Sequence, residues 1–454
     1  MKYRLFPLYL LLSLLLAVPA AHAETAKTST ENLDQLVQTA LDNNPELKSS
    51  SARWEMYKSR VKQAGALEDP MLMLKLQNGI VTDPLSFTRD AMTQKVIGIS
   101  QQLPFAGKRK LKEDIAAAEA ESYRWGVEER KLELARMVKE AYYQIYFTDK
   151  ALFIIDRNIK ILDDFITLAQ TKYSVGQGAQ QDIYKALLER SRMLDMKISL
   201  EQQRRSFEVN LNSLLNRPQS TKVGEVADFK LPPFDYTPEQ LIAIAEENRP
   251  QLKTIRAQIE KGRAGHLLAQ KEYYPDFNVS FEYMQRQRAM GSDGSDMYSL
   301  GVTFNLPIQR ERRQAMLAES SSEVNMAGAE LNGVRNEIAG GVNDLLAQME
   351  RRKKLIDLYT TGIIPQAEQS LESAVIGYRV NKVDFLTLLD NRVTLFNYER
   401  EYYDSMADYQ MKLAQLEALV GKELSSPPPL TEGSNGAGEA GHHAAAPSLT
   451  GKVE

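Results

Sequence analysis

The chain has 454 residues, a formal net charge of −4 and no cysteine. Its mixed charges form no basic stripe, which argues against nucleic acid as a partner. The lack of cysteine excludes a disulfide framework, a thiolate metal site and a lipid carried on an N-terminal cysteine. Only 25 glycines and 18 prolines occur in this length, so the composition favours long helices over many short strands.

The N-terminus has the features of an export signal. Lys2 and Arg4 precede an apolar run over residues 8–18, and Ala21-His22-Ala23 is a small-residue cleavage pattern. Residues 1–23 are therefore predicted to be a secretory signal peptide. No later stretch approaches the ~20 apolar residues that a helix needs to cross a bilayer, so any later crossing is expected to use strands.

An internal repeat organises the rest of the chain at an offset of 205 residues. It predicts a first unit over 24–230 and a second over 231–424. Residues 425–454, rich in Gly, Ala, Pro and Ser, are predicted to be disordered. The positions that recur are Asn32, Gln35, Leu36, Pro45, Leu47, Pro70, Tyr173, Val175, Leu211, Leu214 and Asn216, matched by Thr237, Gln240, Leu241, Pro250, Leu252, Pro275, Tyr378, Val380, Leu416, Leu419 and Gly421.

Each repeat opens with a helix and continues with a pair of strands. Asn32 and Thr237 are helix start signals, and the helices they begin are expected to run to about Glu68 and Glu272. Apolar and polar residues then alternate over 277–283 and 298–306, on either side of a polar loop, which predicts a hairpin. The counterpart strands of the first repeat are predicted over 71–78 and 94–103.

A very long helix is predicted next in the first repeat. Residues 106–175 contain no proline, and 70 residues of helix would span roughly 105 Å. Apolar positions spaced by threes and fours predict that this helix packs side by side with others. In the second repeat a bend is expected near Pro365. Small turns at 174–178 and 380–382 should lead into helices that return to Asn216 and Gly421.

Four strands in one chain leave two open edges, which hydrocarbon does not tolerate. We therefore expect three chains to supply a twelve-stranded membrane β-barrel, continued by an α-helical barrel in the periplasm. The fold class is mainly α with a β-barrel portion. The alternative is an ordinary sheet half-buried on protein. The strand residues expected to face lipid are Phe277, Val279, Phe281, Tyr298, Leu300 and Val302, with Asn278, Ser280, Glu282, Thr303 and Asn305 facing the lumen.

Three segments, in this order, carry a family resemblance. They are Leu-Pro-Phe-Ala-Gly-Lys-Arg at 103–109, Tyr-x-Val-Gly at 173–176, and Leu-Thr-Leu-Leu-Asp-Asn-Arg-Val-Thr-Leu-Phe-Asn at 386–397. Up to about Gly421 the chain resembles the outer membrane efflux protein family of the TolC type. Members are trimers with a twelve-stranded barrel and a helical tunnel closed at its periplasmic end. The Gly-Lys-Arg segment, followed by Lys110, also resembles the heavy-metal cation branch.

The resemblance implies a gate at the tunnel tip. Asp182 and Tyr378 match a hydrogen-bonded pair that keeps the tip closed, while Asp390 and Thr387 match the two constriction positions. This sequence has threonine at one of those positions, and Val383 where the family has a basic residue. For each carboxylate alone, a solvated helix face is the alternative. The family's adaptor-docking turns correspond to Val175, Gly176, Gln177, Gly178, Val380, Asn381 and Lys382.

No enzyme motif of the HExxH, GxSxG or P-loop type is present, so an enzyme is not expected, and no cofactor or metal site is predicted. Six methionines in or near the strands could handle soft metals, although apolar filler is favoured for Met71, Met73, Met92, Met284, Met290 and Met297. The expected function is an outer-membrane exit duct for drugs or metal cations. Its partners would be two further copies, a periplasmic adaptor, an inner-membrane transporter and lipid. The alternatives are a type I protein-secretion duct and a periplasmic coiled-coil adaptor or scaffold.

Overall fold

A computed structural model describes residues 32–84 and 86–424. The signal peptide and the C-terminal tail predicted from the sequence lie outside the described residues. The first repeat contains α1 Leu33–Asn43, α2 Pro45–Gly65, β1 Met71–Gln77, β2 Gln94–Leu103, α3 Lys108–Ser174 and α4 Gln180–Leu214. The second contains α5 Pro238–Asn248, α6 Pro250–Lys271, β3 Phe277–Arg286, β4 Met297–Phe304, α7 Arg310–Leu358, α8 Ile364–Arg379 and α9 Phe385–Val420.

The opening of each repeat is two helices, and the prediction of one continuous helix was wrong. The breaks fall before Pro45 and Pro250, which begin α2 and α6. Proline disfavours the helical conformation of the residue before it. Asn44 and Arg249 accordingly have extended backbones, with ψ of 124° and 116°. The buried Asn44 side chain also caps α2 by accepting from two backbone N–H groups.

The four strands form one antiparallel sheet in the order β1-β2-β3-β4. All four strands begin and end within three residues of the predicted limits. Leu103 pairs with Phe277, which pairs in turn with Phe304, so the helices attach at one end of the sheet. Within the described residues, β1 and β4 each have a strand partner on one side only.

The helices extend away from that end of the sheet. The longest, α3, has 67 residues, which corresponds to about 100 Å. Two hydrophobic clusters lie beside each other in the bundle, one joining α3 to α4 and the other joining α6 to α7 and α9. A third, nearer the far end of the bundle, joins α3 and α4 to α8 and α9. Apart from Leu85, which is not described, no helix between residues 32 and 424 is long and apolar enough to cross a membrane.

The second repeat interrupts its long helix where the sequence predicts a bend. A π-helical turn, Tyr359–Ile363, separates α7 from α8 immediately before Pro365. Proline has no N–H to donate to the preceding turn, so the regular α-helical pattern of hydrogen bonds cannot continue through it. Within the π-helical turn, the hydroxyls of Thr360 and Thr361 donate to the carbonyls of Ile356 and Asp357. The distal part of the second repeat, α8 and α9, is thereby set off from α7.

Candidate functional site

Two helix turns form the end of the bundle farthest from the sheet, and their backbones are equivalent. Gly176 and Asn381 both have left-handed φ angles, of 72° and 59°. The N–H of Gln177 donates to the Lys172 carbonyl at 2.8 Å, and the N–H of Lys382 donates to the Gly377 carbonyl at 2.8 Å. This closing bond is the usual end of a helix with a left-handed residue. Asparagine tolerates that conformation, which explains why the second turn needs no glycine.

Each turn also contains a close contact between the helix residue that precedes the turn and the residue that follows it. One member of each contact is a glycine, which follows the turn in the first repeat and precedes it in the second. A Cβ on Gly178 would lie 3.1 Å from the Lys172 Cβ. In the second repeat the equivalent positions are Val383 and Gly377, and a Cβ on Gly377 would lie 2.5 Å from the Val383 Cγ2. The small and large residues of the contact have changed places between the repeats. The first repeat therefore has room for a long side chain at position 172.

Lys172 uses that room to connect the two turns. Although charged, it is buried, and its Nζ donates to the Tyr378 carbonyl at 2.5 Å and to Asn381 Oδ1. Nζ also lies 4.6 Å from the centre of the Tyr378 ring. A cation at the C-terminal end of a helix interacts favourably with the helix dipole. One side chain of the first repeat thus caps α8 of the second.

Tyr378 and Asp182 are close but are not hydrogen-bonded. Tyr378 is 5% exposed and its ring packs edge-on against Phe385. Within the described chain its buried hydroxyl has no hydrogen-bond partner. Burial raises the pKa of Tyr378, and the nearby charge of Asp182 raises that pKa further. The hydrogen bond predicted between these two side chains is therefore not formed in the single chain, where Lys172 makes the cross-repeat contact instead.

Thr387 and Asp390 lie one turn apart on α9. Both are exposed. By contrast, Phe385, which precedes them, and Leu388, which lies between them, are buried in the hydrophobic cluster formed by α3, α4, α8 and α9. The Asp384 carboxylate caps this helix by accepting the Thr387 N–H at 2.7 Å. The Thr387 hydroxyl, together with that backbone bond, lowers the pKa of Asp384. The predicted constriction residues thus share an exposed helix face near the tip.

A buried polar group joins α3 to α9 above the tip. The Arg392 guanidinium is 3% exposed and donates to Asn158 Oδ1 at 2.5 Å. Glu399 Oε2 lies 3.8 Å from Arg392 and 2.5 Å from Arg157. Burial lowers the pKa of Arg392, against the opposing effect of Glu399. This arginine belongs to the 386–397 segment on which the family resemblance partly rests.

The 103–109 segment builds the junction between sheet and bundle. Lys108 is buried at the start of α3, 2.9 Å from Asp276 Oδ1 and 3.1 Å from the Tyr274 carbonyl. The Phe105 ring stacks on Tyr274 with centroids 4.6 Å apart. Gly107 precedes α3 with φ of 91°. The two repeats are therefore tied together at both ends of α3, by Lys108 near the sheet and by Lys172 at the tip.

One face of the sheet is mainly apolar, with Lys95, Gln101 and Gln285 as its polar residues. The pairing aligns Phe281 with Ile99 and Leu300, and Ile99 in turn with Leu72. All the residues expected to face lipid lie on this face, and all except the partly buried Val279 are exposed in the chain. The apolar residues of this face are Leu72, Leu74, Leu76, Ile97, Ile99, Leu103, Phe277, Val279, Phe281, Tyr283, Tyr298, Leu300, Val302 and Phe304.

Sequence reasoning did not identify Lys172 or Arg392. Lys172 reads as an ordinary basic residue in the last turn of a helix, and only its position on the apolar side of α3 could have drawn attention to it. Arg392 occupies a position where helical spacing from Leu388 and Leu395 predicts an inward-facing residue. A charge at such a position is the signal for a buried partner on another helix.

Comparison with known proteins identifies the family. The sequence model described as outer membrane efflux protein matches residues 36–217 and 241–422, one stretch in each repeat. The cobalt-zinc-cadmium resistance protein CzcC of Cupriavidus metallidurans is 21% identical over 89% of this chain and 93% of its own length. The pyoverdine export outer membrane protein OpmQ of Pseudomonas putida is 23% identical over 86% of this chain and 85% of its own.

Solved structures share the fold. VceC, an outer membrane protein of Vibrio cholerae, has a TM-score of 0.73 with 16% identity, covering 87% of this chain and 97% of its own. CusC has a TM-score of 0.70 with 16% identity, covering 87% of this chain and 92% of its own. The two family matches span most of both repeats. The chain belongs to the outer membrane efflux protein family.

Proposed function

We propose that three copies of this chain form the outer-membrane exit duct of a tripartite efflux system. The observation that carries this proposal is the sheet, whose mainly apolar face ends at two unpaired edges on top of a bundle about 100 Å long. Three such sheets joined edge to edge supply twelve strands and leave no edge in the bilayer. The helices of the three chains then continue the barrel into the periplasm.

The far end of the bundle is the gate of this duct. Lys172 holds α8 of the second repeat against the first, and the exposed Thr387 and Asp390 line the narrowest opening. The 175–178 and 380–382 turns dock the hairpins of a periplasmic adaptor. A charged hydrogen bond such as that of Lys172 contributes about 1.5–3 kcal/mol, which a docking partner can override.

The solutes are small, and the duct itself is passive. The relatives named above are a heavy-metal resistance protein and an exporter of pyoverdine. They support metal cations and small organic compounds as the two candidate substrate classes. An inner-membrane transporter supplies the energy through the adaptor. A ring of three Asp390 carboxylates makes the entrance selective for cations.

Channel recording tests this function at Asp390. Purified protein in a planar bilayer should conduct and should be blocked from the periplasmic side by a trivalent cation. D390N removes three charges from the ring at once, so the blocking concentration should rise about tenfold or more. The matched control is D195N, an exposed carboxylate on α4. Equal block of D390N, D195N and the unmodified channel would show that Asp390 does not line the constriction.

A further inference from the structure

The inner face of the sheet carries a distinct set of apolar residues. On the described strands, all four methionines lie on the face opposite the apolar one, and none lies among the lipid-facing residues. Apart from these methionines and glycines, Val96 is the one apolar residue of the inner face in β1–β4. Lipid contact in this chain is thus made by Leu, Ile, Val, Phe and Tyr, while methionine is confined to the other side.

These methionines occupy successive levels of the sheet. Met71 pairs with Ser100, Met73 with Gly98, and Met284 with both Val96 and Met297. Residues two apart on a strand are about 6.6–7 Å apart along it, so thioethers recur at that interval. Beyond the last level, Met92 and Met290 lie exposed in the two loops at the end away from the helices. The series occupies three successive levels of the sheet, and no methionine lies at the level of Gln102 and Asn278 or at that of Gln94 and Arg286.

An apolar filler role does not explain this arrangement. Methionine fills irregular gaps in cores, where it is enclosed by other apolar side chains. Here Met71, Met73 and Met297 are 60%, 38% and 47% exposed, among Ser, Gln, Asn and Glu residues together with Lys75 and Arg286. In a closed barrel this polar face surrounds the water-filled lumen. A large apolar side chain exposed on that face costs solvation and gains less packing than in a core, so a role in binding accounts for it better.

The surroundings of Gly98 bring a soft donor next to a carboxylate. A Cβ at this position would lie 3.1 Å from both the Met73 Cε and the Glu282 Cγ, so those two side chains meet above the glycine. Met284 follows Glu282 by two residues on the same face. Thioether sulfur is a soft, neutral ligand that prefers monovalent soft cations such as Cu(I), whereas Zn(II) and Co(II) prefer imidazole, thiolate or carboxylate.

We propose that these methionines form a thioether ladder that passes soft monovalent cations, the class of Ag(I) and Cu(I), along the barrel lumen. This inference rests on the proposed function, since it requires the inner face to line a lumen. Neutral ligands at three successive levels bind a cation weakly enough for it to move on, which conduction requires. Glu282 balances the charge of the cation at the Met73 level.

Silver binding to the purified trimer tests the ladder. Equilibrium dialysis in nitrate buffer avoids silver chloride, and Ag(I) undergoes no redox change there. The variant M73L/M284L/M297L keeps side-chain volume while removing the sulfur, so its affinity for Ag(I) should fall at least tenfold. The matched control is M56L/M326L, which replaces two exposed methionines outside the sheet and should bind as the unmodified protein does. Excess Zn(II) should not displace the silver.

Other outcomes separate this inference from the proposed function. Unchanged silver binding in the triple variant, or displacement by Zn(II), would overturn the ladder. If the triple variant does not assemble, M73L and E282Q are measured singly, and each should weaken binding two- to fivefold. Absence of that loss in both would also overturn it. Conductance of potassium by the same trimers is recorded in parallel, because a protein that does not conduct contradicts the duct itself.

Discussion

At the tip of the bundle, a single lysine makes the contact that a carboxylate and a phenol were expected to make. Lys172 is buried with its Nζ on the Tyr378 carbonyl and the Asn381 side chain. Burying an ammonium group is costly unless it is well hydrogen-bonded. Both partners belong to the second repeat. A side chain so placed holds α8 of the second repeat against α3 of the first.

Removing this contact should open the tip. K172M keeps a long side chain but loses the ammonium group, so single-channel conductance should rise and the closed state should become less populated. Y378F should leave conductance near that of the unmodified channel, because the hydroxyl it removes has no partner within the described chain. Planar-bilayer recording compares the two, with the exposed K160M on α3 as control.

The opposite ranking would contradict this assignment. A rise in conductance for Y378F with none for K172M would show that the Asp182–Tyr378 pair implied by the family resemblance, and not Lys172, holds the tip closed. The sequence did place Tyr378 at the correct turn, because the repeat offset aligns it with Tyr173. It could not predict the bond, since the direction of a side chain at a helix end depends on which neighbour leaves it room. Here that neighbour is Gly178.

Among the elements, α3 and α9 are joined by a buried charge whose contribution depends on its partners. Arg392 donates to Asn158, while Glu399 is shared with Arg157. R392M leaves Glu399 paired, so trimer stability should change by no more than about 1 kcal/mol. E399A leaves two arginines without their carboxylate and should cost about 3 kcal/mol.

Thermal dissociation of the detergent-solubilised trimer, followed on gels, measures this difference. E399A should dissociate at a clearly lower temperature than R392M, which should remain close to the unmodified protein. The opposite result would be dissociation of R392M trimers at a lower temperature than E399A trimers. It would show that Arg392, and not Glu399, supplies the stability of this contact.

The elements themselves could be predicted closely where periodicity was strong. Two-residue alternation located β3 and β4, and the proline-free run located α3 with two residues of error at its start and one at its end. The breaks at Pro45 and Pro250 were missed because apolar spacing continues across them. The common face of the methionines was also not visible, since strand pairing is needed to align positions on four strands.

At the scale of the whole molecule, the two repeats contribute equally to one sheet and one bundle. β2 and β3, from different repeats, pair over ten residues, from Gln94 with Arg286 to Leu103 with Phe277. Each chain is therefore a single unit with a two-sided sheet and not two independent hairpins. The outer edges β1 and β4 are the positions where the next copy has to attach. Trimer formation is the central claim on which the gate and the lumen both depend.

Cysteine cross-linking of the sheet edges tests that claim most directly, because the natural chain contains no cysteine. Leu74→Cys on β1 is combined in turn with Tyr298→Cys, Leu300→Cys or Val302→Cys on β4, all on the same face. Within one chain these edges are about 14 Å apart across four strands, too far for a disulfide. Oxidation should yield a covalent trimer for at least one pair and no larger species. Monomers for every pair, or a ladder extending beyond three chains, would contradict the closed twelve-stranded barrel.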